Sequence, residues 1–321
     1  MNRCSRALLA TLVLLTASAG LRAADQPEYR RTQDVVYGRK FGTALTFDVF
    51  TPAQNANGAA VIMVMSGGWF SAHEMINPAV FDAFLSRGYT VFAVVHGSQP
   101  KYTIPEILDD MHRSIRYIRH NAGDFGIQPD RIGITGGSAG GHLSLMMGTA
   151  GRPGDPNAKD PVDRQSSRVQ AVGCYFPPTD FLNYGETGRD VFKALESELK
   201  PFKAPFDFVR LDTASGRFVR IEDSQARLDI ARDISPITHV TPDDPPALII
   251  HGDADKLVPI QQSQVFIKRL EEAGVENKLV VKPGEGHGWK DWIADMAIIA
   301  DFFDVHLLGK QPATRPDQAE P

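Results

Sequence analysis

The sequence has almost no cysteine. Only Cys4 and Cys174 carry a thiol among 321 residues, and Cys4 falls in a segment that we expect to be removed. A mature chain with a single thiol cannot form an internal disulfide, so its stability must come from a large apolar core. Cys174 lies in the apolar run 169–176, which predicts an inert core residue rather than a reactive one.

The chain also lacks any cluster of basic residues. Lysine and arginine together number 34 against 39 aspartates and glutamates, which gives a formal net charge of -5. Nucleic-acid-binding domains concentrate positive charge on one face, so nucleic acid is excluded as an expected partner. Runs of like charge, which are typical of disordered arms, are missing too.

No apolar run reaches the roughly 20 residues that a membrane-spanning helix needs. Arg3 and Arg6 precede a short apolar stretch, residues 7–15, and small residues follow it. This pattern predicts a secretory signal peptide within residues 1–23, cleaved after Ala19 or Ala23. It therefore predicts a secreted or periplasmic protein without stable membrane insertion after cleavage. The alternative is an uncleaved N-terminal anchor.

Most stretches with the composition of β-strands are unbroken apolar runs, which are typical of strands buried on both faces of a parallel sheet. The predicted strands are residues 34–37, 44–50, 59–65, 90–95, 131–135, 169–175, 247–250 and 278–281. The predicted helices are residues 78–87, 105–121, 138–148, 260–273 and 291–308. Strands that alternate with helices predict an α/β fold with a mostly parallel central sheet flanked by helices.

One segment interrupts this alternation. Residues 177–235 contain no clear buried strand, and aromatic and charged residues are interleaved there. The segment is too long for a simple connection, so it predicts a cap inserted over the C-terminal edge of the sheet. Its aromatics either face a pocket or form the cap's own core. The predicted domain spans residues 24–308, and the composition of residues 309–321 predicts a disordered tail.

The sequence GGSAGG at residues 136–141 carries the strongest chemical signal. It follows a predicted strand and opens a predicted helix, which is the G-x-S-x-G pattern in its strand–turn–helix context. Small neighbours let strand and helix approach closely, and the helix N-terminus favours a developing negative charge. We therefore predict Ser138 as a nucleophile. A phosphate-binding loop is the alternative, but the segment lacks the lysine of a P-loop.

A serine hydroxyl needs a base, and the base needs a third group that orients it. With this turn the expected chain order is Ser, then Asp or Glu, then His. The histidines that follow Ser138 are His142, His239, His251, His287 and His306. His287 lies in the flexible loop GEGHG after the last predicted strand, so it is the predicted base, whereas His142 is interpreted as structural.

Two aspartates compete for the role of the acid, because both follow the predicted strand 247–250. Asp253 comes first and can shape the turn through bonds to the backbone, which favours Asp255 as the acid. An acyl-transfer intermediate also needs two N–H donors for its oxyanion. The N–H of Ala139 is the predicted first donor. The second is predicted from Gly68 or Trp69, in the glycine-rich loop after strand 59–65.

With these residues placed, the chain resembles the α/β-hydrolase superfamily over about residues 35–308. It is most similar to the small esterases of the hormone-sensitive-lipase-like and carbohydrate (acetyl-xylan, feruloyl) esterase group. The motifs that carry the resemblance are PDRIG before GGSAGGHL, then SPI, DDPPALIIHGDADKLVP and the closing GEGHGW. The resemblance implies the α/β-hydrolase fold and a catalytic triad of Ser138, Asp255 and His287.

The chain departs from the pattern of that group in two places. The group usually has HGGGW where this chain has MSGGW at residues 65–69, and Tyr-Arg where it has His96 and Gly97. The first change removes a supporting histidine beside the predicted oxyanion donors. The second alters the expected pocket wall. Neither change removes a predicted catalytic group.

The resemblance implies a serine carboxylic-ester hydrolase that acts through an acyl-enzyme and requires no cofactor and no metal. The expected substrates are small-molecule or oligosaccharide esters, such as acylated carbohydrates. There are two alternatives. One is a prolyl-oligopeptidase-like serine peptidase, which has the same triad order. The other is a catalytically silent binding protein that keeps the α/β-hydrolase fold.

Overall fold

An eight-stranded sheet forms the centre of the fold in the computed structural model, which describes residues 28–311. The predicted signal peptide and residues 312–321 of the predicted tail lie outside the described residues. The strands are β1 (Tyr29–Lys40), β2 (Thr43–Pro52), β3 (Ala60–Val64), β4 (Thr90–Val95), β5 (Ile132–Gly137), β6 (Ala171–Tyr175), β7 (Val209–Asp212), β8 (Arg217–Arg220), β9 (Ala247–Gly252) and β10 (Asn277–Lys282). Strands β7 and β8 form a separate hairpin.

The order across the large sheet is β1-β2-β4-β3-β5-β6-β9-β10. The pairs β1/β2 and β2/β4 are antiparallel, and the others are parallel. Every residue of β3 and of β6 is buried, as expected for strands that are covered on both faces. The predicted α/β fold with a mostly parallel central sheet is therefore confirmed.

Helices cover both faces of the sheet. They are α1 (Asp82–Leu85), α2 (Ile104–His120), α3 (Ala139–Thr149), α4 (Val191–Ala194), α5 (Ser224–Asp233), α6 (Gln261–Ala273) and α7 (Met296–Leu308). Successive residues of β3 point to opposite faces: Ile62 joins the apolar cluster of α2, α3 and α6, and Met63 joins that of α1 and α7. Within residues 28–311 no helix is long and apolar enough to cross a membrane.

Two helices are shorter than predicted. The predicted helix 78–87 is a 3-10 turn, Pro78–Phe81, followed only by the single turn of α1. The helix predicted from residue 291 begins at Met296. In the turns before it, Asp295 accepts hydrogen bonds from the Trp289 indole and the Lys282 ammonium, both at 2.7 Å. These tertiary contacts hold the chain outside the helix.

The predicted cap lies between β6 and β9 and contains α4, α5, short 3-10 turns and the hairpin β7–β8. The sequence does not predict this hairpin, because its strands carry exposed charged residues such as Arg210 and Arg217 instead of an apolar run. The cap's aromatics serve both predicted uses. Phe206 and Phe208 are buried against each other in the cap, whereas Phe202 lines a cavity at the predicted nucleophile.

Three buried histidines are expected to make folding sensitive to acid. Burial lowers the pKa of His96 and His142 to about 4, and that of His112 to about 3. These folded-state values lie below the ordinary value of about 6.5. The unfolded chain therefore takes up protons first, and stability falls as the pH falls from about 6.5 towards 4. Burial raises the pKa of Asp110 to about 6. This carboxyl therefore takes up its proton in the folded chain first, which offsets part of the loss of stability.

Each of these histidines is expected to lower the free energy of unfolding by about 1.4 kcal/mol for every unit by which the pH falls between about 6.5 and 4. Guanidinium unfolding followed by tryptophan fluorescence, at a series of pH values from neutral to mildly acidic, measures the slope. The variant His112→Gln has no imidazole to titrate, so its slope should be shallower by about the contribution of one histidine. An unchanged slope would contradict the assignment of His112 as a buried neutral group.

Candidate active site

Ser138 lies at a sharp turn between β5 and α3. Its backbone has φ 54° and ψ -118°. Such a conformation costs a non-glycine residue on the order of 1–3 kcal/mol and persists only where the surrounding packing holds it. The flanking glycines permit that packing, because a Cβ on Gly136 would stand 2.7 Å from a backbone atom of Gly140. The strand and helix can therefore approach closely and hold the serine between them.

His287 connects Ser138 to Asp255. The Ser138 hydroxyl donates to Nε2 of His287 at 2.9 Å, and Nδ1–H of His287 donates to Oδ2 of Asp255 at 2.7 Å. Asp255 follows β9, and His287 lies in the loop between β10 and α7. These distances are those expected for a nucleophile, its base and the group that orients the base. The structure thus brings together the three residues of the predicted triad, whose catalytic roles stay a prediction.

The competing aspartate, Asp253, has a different position. It is exposed, and its Oδ1 accepts a hydrogen bond from the N–H of Gly284 at 2.6 Å. Gly284 lies near the start of the loop that carries His287, so Asp253 helps to hold this loop. Asp255, by contrast, is buried and contacts the imidazole. The geometry therefore favours Asp255 as the acid.

Asp255 is held as a carboxylate. Its Oδ1 accepts the backbone N–H groups of Leu257 and Val258, each at 2.9 Å. Its Oδ2, which binds His287, also lies 3.4 Å from Nε2 of His251. Burial opposes ionisation, but the hydrogen bonds from His251 and His287 outweigh it and hold the pKa of Asp255 well below its usual range. Asp255 is therefore charged at neutral pH and can stabilise a protonated imidazole.

A two-residue turn after β3 holds the predicted oxyanion donors. Gly67 and Phe70 exchange two backbone hydrogen bonds, each 3.0 Å long. Gly68 and Trp69 lie between them with φ values of 56° and 61°, and positive φ at both central residues is typical of a type I′ turn. The turn does not use the N–H groups of these two residues. Both line a small cavity together with Ser138.

Trp69 ties this turn to the helix that begins with the other predicted donor, Ala139. The indole N–H of Trp69 donates to Nδ1 of His142 at 3.2 Å, and Nε2–H of His142 donates to the carbonyl of Ile234 at 2.7 Å. His142 lies on α3, as Ala139 does. The imidazole of His142 therefore links the Gly68–Trp69 turn, α3 and the cap, in agreement with a structural role.

The two departures from the expected sequence pattern contact each other. The Ser66 hydroxyl donates to Nε2 of His96 at 2.8 Å, and Nδ1–H of His96 donates to the carbonyl of Gly97 at 2.7 Å. Burial lowers the pKa of His96 to about 4, so the ring is neutral at neutral pH and keeps an acceptor nitrogen for Ser66. His96 thus anchors the start of the loop that carries the predicted oxyanion donors. The sequence gives no signal for this contact, because the partners are far apart along the chain.

Two cavities lined by residues of the described range 28–311 border Ser138. The larger one has a volume of about 490 Å³, and its walls include the imidazole of His287 and the indole of Trp292. Its other walls are mostly apolar and include Met63, Met65, Met75 and Met296. The smaller cavity, of about 20 Å³, lies between the Gly68–Trp69 turn and the cap. A group bound at the serine can therefore extend into either of these two cavities, of which the first has far more room.

Replacing Gly68 with alanine is expected to lower kcat/KM for an ester by about 100-fold, the scale of losing one oxyanion donor. The new Cβ would stand 2.5 Å from ring atoms of Phe202, and alanine disfavours a φ of 56°. The turn must then change shape and move its N–H groups. Gly67→Ala is the matched control, because a Cβ there meets only Met75, at 3.6 Å. Equal losses in both variants, measured by steady-state kinetics, would contradict the role of the turn.

One group of side chains in residues 28–311 has the spacing of metal ligands. It comprises Asp34, Asp48 and His73. The Arg31 guanidinium, however, binds Oδ2 of Asp48 through two nitrogens, at 2.8 and 2.5 Å. Asp48 is therefore already paired with a cation, and the group carries no metal assignment.

Comparisons with known proteins agree with this architecture. The model of the BD-FAE family matches residues 47–270, which is more than half of the chain. The chain is 28% identical over 249 residues to the probable carboxylic ester hydrolase LipM of Mycobacterium tuberculosis, covering 76% of this chain and 53% of the relative. It is 27% identical over 295 residues to the esterase LipQ of the same organism, covering 89% of this chain and 64% of the relative. The chain therefore spans only about half to two thirds of the length of these curated relatives.

Among solved structures, the fold is similar to a truncated form of a carbohydrate esterase from gut microbiota. The TM-score is 0.70 at 27% sequence identity, and the match covers 89% of this chain and 99% of that one. The sheet order, the serine turn between β5 and α3 and the family match all agree. The chain therefore belongs to the BD-FAE family, and its fold is that of the α/β-hydrolases.

Proposed function

We propose that the chain is a serine carboxylic-ester hydrolase that acts through an acyl-enzyme. The observation that carries this proposal is the hydrogen-bonded series from Ser138 through His287 to Asp255, with the serine facing a cavity of about 490 Å³. The esterase names of the relatives LipM and LipQ support the same reaction class.

In the first step, the Ser138 oxygen attacks the ester carbonyl carbon while His287 Nε2 takes the hydroxyl proton. Asp255 stabilises the imidazolium that forms. The N–H of Ala139, with that of Gly68 or Trp69, binds the negative charge on the carbonyl oxygen. The bond from the carbonyl carbon to the alkoxy oxygen then breaks, and His287 gives its proton to the departing alcohol.

The second step reverses these roles with water. His287 removes a proton from a water molecule, which attacks the acyl carbon bound to Ser138. The ester bond to the serine breaks, the serine oxygen regains a proton from His287, and a carboxylic acid leaves. The charged Asp255 stabilises the imidazolium in both steps, which is consistent with a pKa held well below its usual range.

Acylated carbohydrates are the proposed class of natural substrate. Support comes from the similar solved structure, which is described as a carbohydrate esterase. The aromatic side chains of Phe176 and Trp292 in the larger cavity also offer flat apolar surfaces for a ring. Release of acetate from acetylated methyl glycosides would support this class, whereas activity on simple esters alone would contradict it.

Two measurements on the purified chain test the reaction class. A fluorophosphonate probe should label the chain covalently at Ser138, as located by peptide mass spectrometry. p-Nitrophenyl acetate should be hydrolysed, and alanyl-prolyl p-nitroanilide should not, which separates an esterase from a prolyl-oligopeptidase-like peptidase. A chain that neither reacts with the probe nor hydrolyses an ester would instead fit a catalytically silent binding protein.

We also propose that the protein is exported, to the periplasm or outside the cell. The support is the basic, then apolar, then small-residue pattern of residues 1–23. Expression of the full chain in a bacterial host, followed by N-terminal sequencing of the extracytoplasmic protein, should show a new N-terminus after Ala19 or Ala23. Retention of Met1 on a membrane-bound product would contradict cleavage.

A further inference from the structure

The two cavities beside Ser138 have different walls: His287 lines one of them, and the predicted oxyanion donors line the other. His287 lines the larger cavity, together with residues of the His287 loop and α7. The walls of the smaller cavity include the oxyanion residues Gly68 and Trp69 and side chains of the cap. An ester bound at the serine has two arms, an alcohol and an acyl group. The asymmetry of the cavities therefore bears on which arm goes where.

Proton transfer decides the direction of the alcohol. Its departing oxygen must accept a proton from Nε2 of His287, so it must lie within hydrogen-bond reach of that atom. The alcohol therefore extends into the larger cavity, beside His287. The carbonyl oxygen then faces the N–H groups of Gly68 and Trp69 at the edge of the smaller cavity, and the acyl group beside it extends into that same cavity under the cap.

That smaller cavity has the chemistry of a methyl-sized apolar site. Its volume is about 20 Å³, which is room for about one water-sized group. Besides Trp69, five of its wall residues are apolar: Pro178, Leu199, Phe202, Leu257 and Val258. The hydroxyl of Tyr184, which also lines it, donates to the carbonyl of Leu257 at 2.7 Å. A polar ligand therefore finds little to bind there, whereas a methyl group fits.

Phe202 closes this cavity from the cap side. Its ring lies so near Gly68 that a Cβ on that glycine would meet two ring carbons at 2.5 Å. Leu199 and Tyr184 are buried, at 4% and 1% exposure, and belong to the packed interior. Phe202 is only partly buried and ends the short 3-10 turn Lys200–Phe202. Its ring can therefore be shortened with less damage to the core than theirs.

We propose that Phe202 limits the acyl group of the substrate to the size of acetyl, and that the alcohol occupies the methionine-lined cavity. This inference rests on the proposed ester hydrolysis and adds its acyl selectivity and the orientation of the substrate. Met63, Met65, Met75 and Met296 are flexible and apolar, so they adapt to alcohols of different shapes that share an apolar face. The enzyme then selects narrowly for the size of the acyl group and accepts a wide range of alcohols.

The test compares p-nitrophenyl acetate, propionate, butyrate and hexanoate in the parent, Phe202→Ala and Phe202→Leu. The parent should prefer acetate, since each misfit methylene costs about 10-fold or more in kcat/KM. Phe202→Ala should reduce the acetate-to-butyrate ratio of kcat/KM by at least about 10-fold, with a smaller change in Phe202→Leu. A parent that prefers butyrate, or an unchanged ratio in both variants, would overturn the proposal. Phe202→Leu keeps the test valid if the alanine variant fails to fold.

Two further variants serve as controls. Met75→Ala should leave the acetate-to-butyrate ratio unchanged and should alter the relative rates of methyl and cyclohexyl acetate. If Met75→Ala instead shifts the acyl ratio, the acyl group lies in the methionine-lined cavity and the assignment is wrong. Phe218→Ala removes an exposed cap residue whose ring contacts Phe41. It should change neither ratio, and a shift like that of Phe202→Ala would point to general loosening of the cap and overturn the proposal.

The outcomes also separate this inference from the proposed function. Hydrolysis of esters with the wrong acyl preference would overturn the role of Phe202 and leave ester hydrolysis standing. Absence of both ester hydrolysis and fluorophosphonate labelling in the folded parent chain would overturn the proposed function itself.

Discussion

Ser138→Ala is expected to lower kcat for p-nitrophenyl acetate by about 10⁶-fold, the scale of removing a triad serine. Without the Ser138 oxygen no acyl-enzyme forms, and the remaining hydrogen bond between His287 and Asp255 has no nucleophile to activate. Residual catalysis, from binding and oxyanion stabilisation alone, should remain well above the rate in water. Fluorophosphonate labelling should disappear as well.

Ser144→Ala is the matched control for this loss. Ser144 is buried on α3, the helix that follows Ser138, and its hydroxyl donates to the Gly140 carbonyl one turn earlier. Because this bond lies within α3 and away from the imidazole, the variant should keep activity within a few-fold of the parent. Circular dichroism and thermal unfolding establish that both variants are folded. If Ser138→Ala keeps a large part of the parent's activity, another nucleophile must carry the reaction.

Asp255→Asn is expected to lower kcat by about 10⁴-fold, the scale of losing the carboxylate that orients a triad histidine. The carboxylate accepts the Nδ1–H of His287 at 2.7 Å and thereby leaves Nε2 free to accept the serine proton. A neutral amide neither fixes this tautomer as strongly nor stabilises the imidazolium. Stopped-assay measurements with a high concentration of enzyme can follow the residual rate.

Asp253→Asn, the matching substitution at the competing aspartate, tests whether Asp255 or Asp253 is the acid. Asp253→Asn removes an exposed negative charge but keeps an oxygen that can accept the Gly284 N–H, which lies at 2.6 Å in the parent. We therefore expect a loss of at most about ten-fold, through a weaker bond and a looser His287 loop. A loss of kcat in Asp253→Asn as large as that in Asp255→Asn would contradict the assignment of Asp255 as the acid of the triad.

Much of the fold could be predicted because the central strands consist mostly of apolar residues and glycine. Residues of β3, β4, β5, β6 and β9 are buried on both faces, so the composition alone marks them as inner strands of a parallel sheet. Ser138 and His287 could also be predicted from the sequence, because each lies among glycines next to a predicted strand. These are local signals, and they place residues without any knowledge of tertiary contacts.

Other features depend on contacts that the sequence does not display. Asp253 and Asp255 are two residues apart after the same strand, and only the fold determines which one meets His287. The bond between Ser66 and His96 joins two different strand ends. Phe202 lies in a segment where aromatics serve both the cap's interior and a cavity wall, and nothing local distinguishes the two. In each case, partners distant along the chain decide the role.

Cys174, the single cysteine of the described residues, is a natural probe for transient opening of the central sheet. Cys174 lies in β6 at the middle of the sheet with no exposed surface, and burial raises the pKa of its thiol. A thiol reagent can reach it only when β6 separates from its neighbours, since the thiolate is the reactive form and needs solvent. The rate of its modification under native conditions therefore reports the population of the open state when reclosing is faster than the reaction, and the opening rate when the reaction is faster. No engineered label is required for that measurement.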